Sequence, residues 1–226
     1  MLIQYGATGI AVSVDSVDPQ ESLLTRRTQL RIHRQLISNL KEIGKNKKGF
    51  ELGINSVVSS VTANSKTVRG LLEFGQSINA DYVKFQPIFN DGYVGTIAPQ
   101  LMLNSSHSNE LSKISTILGT FDHPLSNPPE FWKNLSDLSL GKSLDPQSCN
   151  IQKHSIVTKK NLGICYWLTN SSFGDATKLN AGTIQKTRAN FEKAKTECKV
   201  EFHCFCTQPL SHIWSSGGKL EDDGNN

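Results

Sequence analysis

The first 148 of the 226 residues contain no cysteine. No run approaches the ~20 apolar residues of a membrane span. The N-terminus lacks the basic segment and apolar run of a secretory signal, so the expected location is the cytoplasm. The six histidines, at 33, 107, 123, 154, 203 and 212, show no HExxH or His-x-His spacing. A G-x-S-x-G elbow, a P-loop and a G-x-G-x-x-G turn are also absent, which removes hydrolase and nucleotide-binding readings. Charge is scarce too: 19% of residues are charged and the net charge is +4, too little to indicate a nucleic-acid partner. The most basic run, Lys41 to Lys48, sits at the end of an expected helix, where cations are favoured.

What the chain does have is concentrated at the back. All five cysteines, Cys149, Cys165, Cys198, Cys204 and Cys206, fall within its last third. Soft thiolates gathered this way suit an iron–sulfur cluster or zinc. The plainer alternative is a set of buried thiols acting as small hydrophobes. An odd number of cysteines without a leader points to a reducing compartment rather than to disulfides.

Hydrophobic periodicity organises the front. Residues 9–15 read as a strand, with Ile10, Val12 and Val14 on one face and Ala11, Ser13 and Asp15 on the other. Residues 16–19 form a turn cluster. From about Thr28 the period becomes helical, with Ile32, Leu36, Ile37, Leu40 and Ile43 as the stripe and Gly44 at its end. A second strand is expected over 51–61. A helix capped by Asn64 or Ser65 follows, burying Val68, Leu71, Leu72, Gly75 and Ile78. A third strand spans 82–88. This βαβαβ order implies parallel strands, and the spacing suits part of a (β/α) barrel. The fold expected is α/β: an incomplete (β/α) barrel of parallel strands with a small C-terminal α+β cysteine-rich domain. The barrel part covers 1–100. A linker over 101–144 carries two helices, near 108–118 and 129–138; the cysteine-rich domain covers 145–210 and a disordered tail 211–226. Within 145–210 a hairpin is expected around Lys160-Asn161 and a helix over 183–198.

Three stretches carry a family resemblance. GIAVSVDS followed by DPQESLLTRR, FELGINSVVSSVTAN and ADYVKFQPIF resemble the fourth, fifth and sixth barrel strands of radical S-adenosylmethionine (SAM) enzymes. Cys149, the strand–turn–strand ending on Cys165, the Phe-Gly-Asp segment at 173–175 and the terminal cysteines resemble the family's SPASM or twitch auxiliary domain. The family's CxxxCxxC loop and Gly-Gly-Glu stretch are absent. The resemblance therefore implies the C-terminal part of such an enzyme, a truncated frame or a split subunit, not competent for SAM cleavage on its own.

By the same resemblance Ser13, Asp15, Arg26 (or Arg27) and Asn55 would face SAM, the arginine pairing with its carboxylate. Lys84 and Gln86 would face substrate. Four of the five cysteines would hold an auxiliary 4Fe-4S cluster, best from Cys149, Cys165 and Cys198 with Cys204 or Cys206. The implied partners are a separate N-terminal half or a redox partner; the substrate is unknown. The alternative is a non-catalytic binding or scaffold module. Zinc would stabilise it, bound by Cys198, His203, Cys204 and Cys206.

Overall fold

The computed structural model describes residues 8–88, 99–120, 126–127, 129–142, 156–158, 161–163 and 174–175, with the single positions 180, 182, 185 and 189. The chain divides into two compact units, Met1–Lys142 and Ser143–Asn226.

The first unit is built on a parallel three-stranded sheet in the order β1-β2-β3: β1 (Gly9–Ser13), β2 (Glu51–Val58) and β3 (Tyr82–Pro87). The connections are helical: α1 (Pro19–Arg26) and α2 (Leu30–Lys45) between β1 and β2, then α3 (Ser65–Ser77) between β2 and β3. One face of the sheet is dry. Leu52, Ile54, Val58, Val83 and Phe85 are at most 1% exposed. Leu40 of α2 and Val68, Leu71 and Leu72 of α3, part of the apolar stripes read from the sequence, are buried as well, and α3 packs on β3. Burial of this kind contributes about 1.5–3 kcal/mol per large side chain and is the main force holding helices to sheet.

Local chemistry sets the helix limits. Asn64 caps α3 by accepting from Thr67 N at 2.9 Å. Asp18 caps α1 in the same way through Gln20 N, with Pro19 at the first helical position. This helix falls just past the expected turn cluster, and Arg27 stops it with a left-handed backbone at φ 53. In α2 the expected stripe holds at Leu36, Ile37, Leu40 and Ile43, which are buried or half-buried, and fails at Ile32. His33, Leu40 and Gly44 are buried, whereas Ile32 is 56% exposed. The reason is a hydrogen bond: His33 Nε2 donates to Ser16 O at 2.9 Å, so a polar ring takes an inner position.

Residues 99–142 add two 3-10 turns, Pro99–Leu101 and Ser105–His107, and two helices, α4 (Ser108–Thr120) and α5 (Pro129–Ser139). The helices pack on each other, with Leu111, Ile114, Trp132 and Leu135 at most 1% exposed. Trp132 meets Phe85 of β3 edge to face, centroids 5.0 Å apart.

In the second unit β4 (Ile156–Thr158), β5 (Asn161–Gly163) and β6 (Gly174–Asp175) form an antiparallel sheet. Thr158 pairs with Asn161, so Asn161 belongs to a strand and not to the turn expected around Lys160-Asn161. Gln185 and Ala189, inside the expected 183–198 helix, are helical and exposed. The five cysteines, His203 and the tail lie outside the described residues.

Candidate functional site

Buried polar side chains gather where β1 and β2 end. Asp15, Ser16, Ser56, Ser59, Thr62 and Thr67 are each 5% exposed or less. Ligands of parallel α/β sheets bind at the carboxyl ends of the strands, because loops there can point functional groups inward without disturbing the ladder.

Each buried group has a partner. The Asp15 carboxylate accepts Arg26 Nε at 2.6 Å, Arg26 Nη2 at 2.8 Å and Val57 N at 2.9 Å. Ser16 donates from its hydroxyl to Glu21 and accepts from Asp18 N at 3.0 Å. The Glu21 carboxylate also accepts from Thr67 Oγ1, at 2.9 and 2.8 Å. Thr62 Oγ1 accepts from Ser59 N at 2.9 Å and donates to Val57 O at 3.1 Å. The loops after β1 and β2 are thereby tied to each other and to the start of α3. Such a network is stiff because losing one bond strands a buried polar group.

The SAM-facing residues expected from the sequence separate into two pairs. Asp15 and Arg26 meet as a forked ion pair, Asp15 buried and the Arg26 side chain 35% exposed. Arg27 is exposed past the end of α1. Ser13 and Asn55 are register partners, and Asn55 is in turn paired with Lys84 of β3. This places Ser13, Asn55 and Lys84 in one row on the sheet face opposite the dry core, with Ser13 exposed and Asn55 half-buried. Gln86 lies in the next row, beside Val57. At the other end of the sheet Tyr82 lays its ring over Gly53. Burial first, then the Glu51 and Asp81 carboxylates, push its phenol above the usual value of 10.0.

Three residues of this site escape sequence reasoning: Glu21, Thr67 and His33. The first two occupy capping positions of α1 and α3, and the run of Ser, Thr and Asp after each strand is the signal that could have found them. For His33 no local signal exists.

Among the described residues, no group of three or more His, Cys, Asp or Glu side chains is placed to hold a metal ion. No described helix is long and apolar enough to cross a membrane. No family model matches the chain, and no curated protein matches it significantly. Solved structures do. Native anSMEcpe with bound AdoMet (S-adenosylmethionine) superposes with a TM-score of 0.52 at 14% identity, over 92% of this chain and 66% of that one. The hexahistidine-tagged form with bound AdoMet gives 0.47, and the native protein with AdoMet and the Kp18Cys peptide 0.45, at the same identity and coverage. The chain thus spans just under two thirds of the length of the chains it matches. At this identity the likeness is one of fold, and the fold shared is an α/β fold that, in anSMEcpe, is seen with AdoMet bound.

Proposed function

We propose that this chain is one part of a radical SAM enzyme, bearing an AdoMet-facing sheet edge and an auxiliary 4Fe-4S cluster. The observation that carries the reading is the likeness to the AdoMet-bound anSMEcpe fold. The polar row of Ser13 and Asn55, beside the Asp15–Arg26 pair at the carboxyl ends of the strands, supports it.

The donor set fits both groups. Ser13 and Asn55 offer hydroxyl and carboxamide groups to a ribose or an amino acid head. Arg26 spends Nε and Nη2 on Asp15, so Nη1 is the nitrogen left to meet a ligand carboxylate. Asp15 in this reading positions Arg26. The five cysteines exceed the four thiolates that a protein-held 4Fe-4S cluster needs. When bound, such a cluster would carry electrons or lend folding energy to residues 145–210. Cleavage of AdoMet needs a CxxxCxxC loop that this sequence does not contain, so it is not assigned to these residues. Lys84 and Gln86 would face the substrate.

Anaerobic reconstitution with iron and sulfide tests this. A brown protein with about four iron and four sulfide per chain is expected. Alanine at Cys149, Cys165 or Cys198 should abolish the cluster. AdoMet should bind without being cleaved. Colourless protein holding about one zinc per chain would instead install the scaffold module.

A further inference from the structure

A cleft of about 380 Å³ opens beside α2, within the range of roughly 300–1,000 Å³ that suits a small ligand. Its apolar lining comes from Val17, Pro19 and Ile37, all half-buried. His33 lines it too, with Nε2 committed to Ser16 O. The remaining lining is Arg34, Ser38 and Lys41, all exposed. These three stand at i, i+4 and i+7, in one row along the helix. Ser38 is about 6 Å along the axis from Arg34 and about 4.5 Å from Lys41, so a hydroxyl sits between two long cationic side chains.

Among the described residues no carboxylate lines this cleft. The acids of the adjoining loop and helix are committed elsewhere: Asp18 accepts from Gln20 N, and Glu21 accepts from Ser16 and Thr67. Glu42, the one acid of α2, accepts from Asn46. Arg26, Lys47, Lys113 and Lys142 each close on a carboxylate. Among the described residues the Arg34 and Lys41 side chains have no such partner. Solvated cations on a helix face are ordinary by themselves. Here two of them border a concave patch of uncovered apolar surface, where one ligand can meet both charge and apolar contact.

We propose that the cleft is a binding site for a small organic phosphate. The phosphoryl group lies over Ser38 and meets the Arg34 guanidinium, the Ser38 hydroxyl and the Lys41 ammonium, one for each of its three acceptor oxygens. A carboxylate has two oxygens and leaves one of these donors idle. The organic body covers Val17, Pro19 and Ile37. Inorganic phosphate can use the donors but not the apolar surface. The site goes beyond the AdoMet reading and shares none of the residues proposed to face AdoMet, so each can fail without the other.

The test is calorimetric titration of the full chain with phenyl phosphate. One saturable site is expected, about tenfold tighter than for inorganic phosphate, which lacks the apolar body, and tighter than for benzoate. Arg34→Ala and Lys41→Ala should each weaken binding about tenfold, and Arg34→Lys by less. Both side chains are exposed, so urea midpoints should not move and lost binding cannot be ascribed to misfolding. Arg31→Ala and Lys45→Ala, at exposed cations of α2 outside the cleft, should leave binding unchanged. A short thymidylate oligomer supplies the contrasting arm. Tighter binding of the oligomer, dependent on Arg31 and Lys45, would mark an extended polyanion face and overturn the proposal. So would the absence of a saturable site, affinity indifferent to Arg34 and Lys41, or equal affinity for phenyl phosphate and inorganic phosphate.

Discussion

Arg26 closes on Asp15 through two parallel bonds, Nε to Oδ2 at 2.6 Å and Nη2 to Oδ1 at 2.8 Å. The pair spans the loop between β1 and α1, and the third bond to Asp15, from Val57 N, extends the grip to β2. A lysine cannot reproduce the fork. Arg26→Ala should cost about 1–2 kcal/mol: a buried carboxylate loses its charged partner, while water at the partly exposed arginine softens the loss. Arg26→Lys should recover only part of it. Urea unfolding should show a lower midpoint with an unchanged slope. If Arg26 also meets AdoMet, Arg26→Lys should weaken binding by more than its stability effect implies.

Asn127→Ala removes both partners of Phe85 at once. A buried N–H and a buried C=O are left without bonds, beside a Trp132 ring packed on the Phe85 side chain. The expected cost is about 2–4 kcal/mol. Asn127→Asp keeps the acceptor but turns the donor into a second acceptor facing Phe85 O, so it should be no better. Equilibrium urea unfolding of both variants decides this, with hydrogen exchange at the Phe85 amide as the local readout.

Tyr82 makes the fold sensitive to alkali. Its phenol is held above the usual 10.0 by burial and by the Glu51 and Asp81 carboxylates, so the folded state prefers it neutral. A group whose folded value is raised contributes its stability in full below the unfolded value and loses it as pH climbs through the folded one. Stability should therefore fall from about pH 10 upward. Tyr82→Phe should flatten that limb and leave neutral pH nearly unchanged. Thermal melts across the alkaline range, with phenolate absorbance as the titration signal, measure both.

Legibility in the sequence follows locality. The α3 cap at Asn64 and its buried stripe are readable because both depend on residues three or four apart. The three strands are readable from alternation, although β1 stops at Ser13 and β2 at Val58, short of the expected ends at 15 and 61. The first turn of α2, where His33 and not Ile32 is buried, is not, because the bond that holds the imidazole to Ser16 O joins positions seventeen apart. Nor does any pattern mark Asn127, whose partner is forty-two residues away. Within the site, Ser13 and Asn55 are legible as strand positions, Asp15 falls just past the end of β1, and their role with Arg26 is read only through family resemblance. That Arg26 takes Asp15 as its partner needs the fold, since α1 sets the distance between them.

Two glycines test whether close approach is held by main chain or side chain. A Cβ at Gly44 would run into the carbonyl of Ile78, and one at Gly53 into the ring of Tyr82. Backbone at the end of α3 cannot retreat without unseating that helix, so Gly44→Ala should cost about 2–3 kcal/mol, with no side-chain change able to rescue it. The Tyr82 ring is only half-buried and can swing outward. Gly53→Ala should therefore cost about 1 kcal/mol, and Tyr82→Ala in the same chain should remove most of the clash. A double-mutant cycle by urea unfolding reads the difference. A Gly53–Tyr82 coupling near zero would mean that the ring does not lie over the glycine in solution.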